Sequence, residues 1–222
     1  MKNHKLLSGL MLLTVISVAR ATFYSYEMNS GSVLIPDGNI VGITSSTNVS
    51  GIPHPGGDGT TPVITDVNVR LNITGGYNGD LYGYLQLHDE LNQTVLTVLL
   101  NRVGTGSGSE PQNTFGYSTS GINVKLDDAA AASIHGVANP TSGASYQPDS
   151  GAGSLADFND YLANGTWTMF LADRSGGGGQ STLVSWGLDI NVVPEPTTWA
   201  LIIFGAGVAG QFLIRRFRRQ QA

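Results

Sequence analysis

The sequence predicts an antiparallel β-sandwich, and three observations point to it. Wherever the stretch from Pro62 to Val192 is regular, apolar residues recur at every second position, the period of a half-buried strand. Clusters rich in Gly, Asn and Asp, such as TGGYNGD and DRSGGGGQ, separate the alternating runs. The composition agrees: 30 of 222 residues are glycine and only 12% are charged, which suits a loop-rich all-β domain better than a helical bundle.

The strands can be taken in order. In VNVRLNIT, Val67, Val69, Leu71 and Ile73 face one way while Asn68, Arg70 and Asn72 face the other. In LYGYLQLH, Leu81, Leu85 and Leu87 alternate with Tyr82, Tyr84, Gln86 and His88. TVLTVLLN is more continuously apolar, the pattern of a strand covered on both faces. INVKL is a short strand, and in TWTMFLA the residues Trp167, Met169 and Leu171 share a face. The last run, LVSWGLDINV, aligns Val184, Trp186, Leu188, Ile190 and Val192. One short helix is expected over Leu155 to Leu162, with Ser154 as its N-cap. Residues 104–121 and 129–153 read as surface loops.

Both ends of the chain read as addresses. Lys2 and Lys5, the apolar run Leu6 to Val18, and Ala19-Arg20-Ala21 are the three parts of a secretory signal peptide, residues 1–21, cut by signal peptidase after Ala21. Residues 22–34 then form an N-terminal linker. Near the other end, GAGVAG at Gly205 to Gly210 is a formal match to a dinucleotide-binding turn. Such a turn needs a following strand and a ribose-binding acid, and the 12 residues after Gly210 supply neither. The glycines belong instead to an apolar helix of 16 residues, Trp199 to Ile214, about 24 Å long. That is slightly short of a ~30 Å hydrocarbon core, a gap that the snorkelling Arg215 can close. Arg215, Arg216, Arg218 and Arg219 place the tail in the cytoplasm by the positive-inside rule.

Pro194-Glu195-Pro196, the apolar helix and the Arg cluster, in that order, resemble the PEP-CTERM sorting signal of Gram-negative bacteria over residues 194–219. The resemblance implies an exosortase, an inner-membrane protease of the cysteine transpeptidase type, as the partner that recognises the motif and removes the helix. Two prolines keep the backbone extended and short of N–H donors, a form suited to a protease cleft.

The body carries a second resemblance. IPDGN, then Gly79-Asp80-Leu81, then Phe158, Gly165-Thr166-Trp167, Asp173, and a partly matched close at Gly179, Leu183, Trp186 and Leu188 are similar to the P domain (Homo B) of proprotein convertases. It implies a jelly-roll-like sandwich over residues 35–193 and no catalytic residue of its own. In convertases this domain stabilises a subtilisin-like protease domain. Only 13 residues separate the expected cut from Ile35, so no protease domain is expected here.

The chemistry-bearing residues are few. Between Thr22 and Val193 there are 15 carboxylates and four basic side chains, a net of −11 that repels nucleic acid. Cysteine is absent, so neither disulfides nor thiolate metal sites contribute. His54, His88 and His135 carry no paired signature, and no Ser lies in a G-x-S-x-G elbow. Asp127-Asp128 and Asp89-Glu90 are adjacent acids with no spacing that marks catalysis. Asp80 and Asp173 occupy motif positions. The expected role is structural, each carboxylate fixing a turn, and the alternative is oxygen ligation of Ca²⁺ in an acidic, Gly-rich loop.

The expectation is therefore an exported, non-catalytic protein without a cofactor other than that Ca²⁺. Its precursor is anchored in the inner membrane, and its mature form works in the envelope or outside it as a binding or structural module among exopolysaccharide. Two alternatives stand beside this. One is a P domain stabilising or regulating a secreted serine protease in trans; the other is a Ca²⁺-dependent carbohydrate-binding module.

Overall fold

A computed structural model describes residues 21–52, 62–106, 114–149 and 154–194. Nine strands form: β1 (Thr22–Ile35), β2 (Ile43–Val49), β3 (Pro62–Gly75), β4 (Leu81–Asp89), β5 (Thr94–Asn101), β6 (Ile122–Leu126), β7 (Ser145–Tyr146), β8 (Gly165–Asp173) and β9 (Ser181–Pro194). They make a five-stranded sheet in the order β1-β9-β3-β6-β7 and a four-stranded sheet in the order β2-β8-β4-β5. All pairings are antiparallel except β6 with the two-residue β7. The protein is thus the antiparallel β-sandwich that the alternation predicts.

The core is the inward half of each alternating run. Val67, Val69, Leu71 and Ile73 of β3, Leu81, Leu85 and Leu87 of β4, and Trp167, Met169 and Leu171 of β8 are all buried. Two tryptophans fill the space between the sheets. Trp186 of β9 donates its indole N–H to Ser45 Oγ of β2 at 2.9 Å, a hydrogen bond from one sheet to the other. Trp167 donates to the Ala163 carbonyl at 3.1 Å and packs against Phe158, ring centroids 5.1 Å apart. An indole buried with its donor satisfied contributes its apolar area without a desolvation cost.

Five expectations change in the folded chain. Residues 22–34 are not a linker: they are most of β1, an edge strand paired with β9 from Thr22↔Val192 to Ile35↔Ser181. Val184 does not share the buried face of Trp186. It is skipped in the pairing of β9 with both neighbours, and this bulge turns Leu183 inward in its place. TVLTVLLN is not covered on both faces. β5 is a sheet edge with Leu96 44% exposed, and a bulge opposite Gly83/Tyr84 buries the consecutive Leu99 and Leu100. The expected helix is only a 3-10 turn, Leu155–Phe158. Its start is as expected, with Ser154 and Asp157 forming a capping box. It stops because Ile64 pairs with the chain beyond it, Asp160 N–H donating to the Ile64 carbonyl and Ile64 N–H to that of Tyr161. The expected loop 129–153 likewise contains β7 and a 3-10 turn at Ile134–Gly136.

On the outer face of the five-stranded sheet, Arg70 ties three strands. It donates to Glu27 Oε2 of β1 at 2.7 and 3.0 Å, to the Tyr26 carbonyl, and to Asp189 of β9. Gly187 leaves room for this fork, because a Cβ there would lie 2.6 Å from Arg70 Nη2.

The inter-sheet indole yields a direct test. Trp186→Ala is expected to cost about 3–5 kcal/mol, the range for deleting a buried aromatic. Leu96→Ala, at an exposed position, should stay within about 0.5 kcal/mol of the parent. Urea unfolding of the two variants beside the parent measures both values.

Candidate functional site

The two ends of the sandwich differ, and register shows how. Thr22 pairs with Val192, and Pro62 with Pro194, so the segments before β1 and after β9 leave from one end. At the other end β9 begins at Ser181, paired with Gly75, close to the 3-10 turn Asn78–Asp80. Asp80 and Asp173 stand at this second end, far from both termini.

The fold brings these two acids together. Asp173 is the last residue of β8 and pairs with Leu81, the neighbour of Asp80. Both side chains are buried, Asp80 at 3% exposure and Asp173 at 0%. Asp173 Oδ1 accepts the backbone N–H groups of Ser175 at 3.1 Å and Gly38 at 3.4 Å, the expected turn-fixing role. Its Oδ2 is buried with no hydrogen-bond partner. Gly178 closes over the other acid, since a Cβ there would lie 2.6 Å from Asp80 Oδ2. A third carboxylate, the exposed Asp37 of the β1–β2 turn, acts on both.

These surroundings raise both acids above their ordinary value of 3.8. For Asp80 the causes are burial first, then the charge of Asp173 and that of Asp37, opposed by Arg102 and a hydrogen bond from Ser175. For Asp173 burial again leads, with Asp37 adding to it, against the Ser175 and Gly38 N–H groups and Arg102. Among the described residues no three acidic or imidazole side chains converge as a finished metal cage.

Histidine chemistry is closed off by the partners. His135, a loop residue whose sequence carries no paired signature, bonds Asp149 Oδ2 through Nδ1 at 2.9 Å and the Thr105 carbonyl through Nε2 at 3.0 Å. Both partners only accept, so the arrangement favours the ring form in which both nitrogens donate. Burial pulls its pKa down, but the Asp149 bond and charge and the Thr105 carbonyl outweigh this and raise it above 6.5. Asp149 Oδ2 also accepts from Asn101 N–H, which fastens the 129–149 excursion to β5. With no free lone pair His135 is a strut, not a base. His88 is exposed beside Thr94 Oγ1, as its place in the pattern predicts, and His54 lies outside the described residues.

The adjacent acids have separate tasks. Asp127 pairs with Lys125 at 2.7 Å, and Asp128 accepts from Ser154 Oγ, Leu155 N–H and Ala156 N–H. Asp89 Oδ1 accepts from Leu91 and Gln93 N–H and shapes the β4–β5 turn. It borders an open polar cavity of about 420 Å³ near the termini, with Asn48, His88, Glu90 and Asn164.

The alternation pattern alone does not reveal the outer face of the four-stranded sheet. Tyr84 and Phe170 are register partners on β4 and β8, and their rings stack at 4.7 Å with 15° between planes. Tyr82 meets both edge-on at 6.4 and 6.5 Å, and the Arg174 guanidinium lies 5.6 Å over its ring. Around them are Gln86, Ser46 and Thr168, the two hydroxyls 2.8 Å apart. None of these residues is acidic, in a body of net −11.

Together these features describe a sheet-built module with an aromatic outer face and a pair of buried acids at its far end. Its last strand leads into a segment that matches a known motif: residues 192–219 fit the family model of the PEP-CTERM protein-sorting motif. The motif implies recognition by an exosortase and an exported precursor held at the membrane by its C-terminal signal. Pro194 is the last residue of β9; Glu195, Pro196, the expected helix and Arg215, Arg216, Arg218 and Arg219 lie outside the described residues, as does Ala19. Ala21 directly precedes β1. Among the described residues no helix is long and apolar enough to cross a membrane. In shape the chain is similar to one in the crystal structure of the Aeromonas sobria serine protease (ASP) and the chaperone (ORF2) complex. Identity is 14%, the TM-score is 0.44, and the likeness covers 78% of this chain and 27% of that one. No curated protein matches the sequence.

The acid pair has a defined pH signature. Because both folded-state pKa values are raised, the pair favours folding at low pH. That contribution is lost as pH climbs from the unfolded value of 3.8 through the raised ones. In chelator at pH 7, Asp80→Asn is therefore expected to melt above the parent, and the two melting curves should converge toward pH 3. Calorimetric scans between pH 3 and 8 read this difference.

Proposed function

We propose that this chain is an exported, non-catalytic binding module of the cell envelope, released from an inner-membrane precursor by an exosortase and retained among exopolysaccharide. The observation that carries the sorting half is the PEP-CTERM match at residues 192–219, which begins inside β9. In this reading signal peptidase cuts after Ala21 and leaves β1 whole. The exosortase acts at Pro194-Glu195-Pro196, while Arg215, Arg216, Arg218 and Arg219 hold the tail in the cytoplasm.

The binding half is supported by Tyr82, Tyr84 and Phe170. Aromatic rings bordered by amides and hydroxyls present an apolar plane for the C–H face of a sugar and polar groups for its hydroxyls. A face without carboxylates also admits an anionic polymer that the rest of the body repels. A second reading is supported by the order of the P-domain-like motifs, whose residues Asp80, Leu81, Gly165 and Asp173 all fall at strand ends. There the domain would bind a subtilisin-like protease in trans.

Intact mass of the protein from membranes and from culture medium tests the sorting. The expected result is a membrane form ending at Ala222 and a released form ending close to Pro194, both starting near Thr22. Glu195→Ala should abolish release and leave the full-length tail in the membrane fraction. Retention on the producing cells' own purified polysaccharide tests the binding, with a tenfold or greater loss expected for Tyr84→Ala. Co-purification with a secreted serine protease, in place of such retention, would establish the second reading.

A further inference from the structure

We propose that Asp80, Asp173 and Asp37 form a site for one divalent cation of the hard, oxygen-preferring class, with Ca²⁺ the cation it fits. The site lies at the end of the sandwich opposite the termini. Three chain segments build it: the β1–β2 turn, the 3-10 turn before β4, and the Gly-rich loop after β8.

The main observation is Asp173. Its side chain is fully buried, Oδ1 is held by two backbone N–H groups, and Oδ2 has no partner at all. A buried carboxylate oxygen left without donor or cation is costly, and proteins rarely retain one without a use. Asp80, 3% exposed, stands beside it, and no lysine acts on either acid. Arg102 is the one cationic side chain that does. Its Nε is already engaged by the Gly79 carbonyl at 3.3 Å and its Nη2 by that of Thr114 at 3.1 Å. Two buried carboxylates, with the charge of Asp37 added, thus share a single, already committed guanidinium, and the missing charge is positive.

The donor set selects the ion. Carboxylate oxygens with no His or Cys among them suit Ca²⁺ or Mg²⁺ and not zinc or copper. Three carboxylates provide three to six oxygens, and Ser175, which bonds Asp80, adds a hydroxyl. Two ligands are fixed by burial while the third, Asp37, is exposed on a turn and joins them when the cation binds. Fixed and adjustable ligands together suit the flexible six- to eight-fold shell of Ca²⁺ better than the strict octahedron of Mg²⁺.

The test uses the whole chain in detergent at pH 7, melted in EDTA, in Ca²⁺ and in Mg²⁺, with binding measured by calorimetric titration of CaCl₂. Near-saturating Ca²⁺, about 100-fold above Kd, should raise the melting temperature by roughly 5–10 °C, and Mg²⁺ by less. Asp37→Ala removes a like charge that acts on both buried acids, so it should melt at or above the parent in EDTA and bind Ca²⁺ at least tenfold more weakly. Asp80→Asn should melt above the parent in EDTA and below it in Ca²⁺, a reversal that a merely structural carboxylate does not produce. The proposal is overturned if Ca²⁺ leaves the parent's melting temperature unchanged, or if both variants bind Ca²⁺ as tightly as the parent.

Discussion

The rest of the molecule depends on the pairing of β9 along both of its edges. Over Ser181–Pro194 this strand is hydrogen-bonded to β1 on one side and β3 on the other. It turns Leu183, Trp186, Leu188, Ile190 and Val192 into the core. Trp186 also reaches across the core to Ser45, so the same strand sets the distance between the sheets. Its outward residues Gly187 and Asp189 complete the seat of Arg70. Disturbing β9 removes a central strand, the inter-sheet hydrogen bond and the outer-face clamp at once.

This dependence gives the domain a direction. A 14-residue strand spans roughly 43 Å, so β9 runs most of the length of the sandwich. Its start adjoins the acid cluster, and its finish adjoins both the exit of the sorting segment and the entry into β1. A module held by its C-terminal segment thus presents Asp37, Asp80 and Asp173 away from the attachment point, with the aromatic face along its flank. Both surfaces are clear of the end that the sorting machinery must reach.

How much of this was legible in the sequence follows from what each feature needs. Period-two burial is local, so the inward faces of β3, β4 and β8 were readable residue by residue. Bulges are not local: whether Leu183 or Val184 faces inward depends on a neighbour skipping a residue, and that neighbour is 110 or more positions away. β1 was missed because an edge strand is half exposed, and Tyr24, Tyr26 and Met28 alternate only weakly in polarity. Asp80 and Asp173 stood out through their motif positions, whereas Asp37 joins them only through the β1–β2 turn. Tyr82 and Tyr84 counted as the polar half of their strand until the β4–β8 register placed Phe170 against them.

The join between fold and sorting signal is built from the same constraint. In the five-stranded sheet Pro62 lies opposite Pro194, and neither residue has an N–H to give the ladder. The last residue of β9 is the first residue of the Pro-Glu-Pro motif, so the sorting match and the sandwich share residues 192–194. Pro194 belongs to both the sheet and the signal.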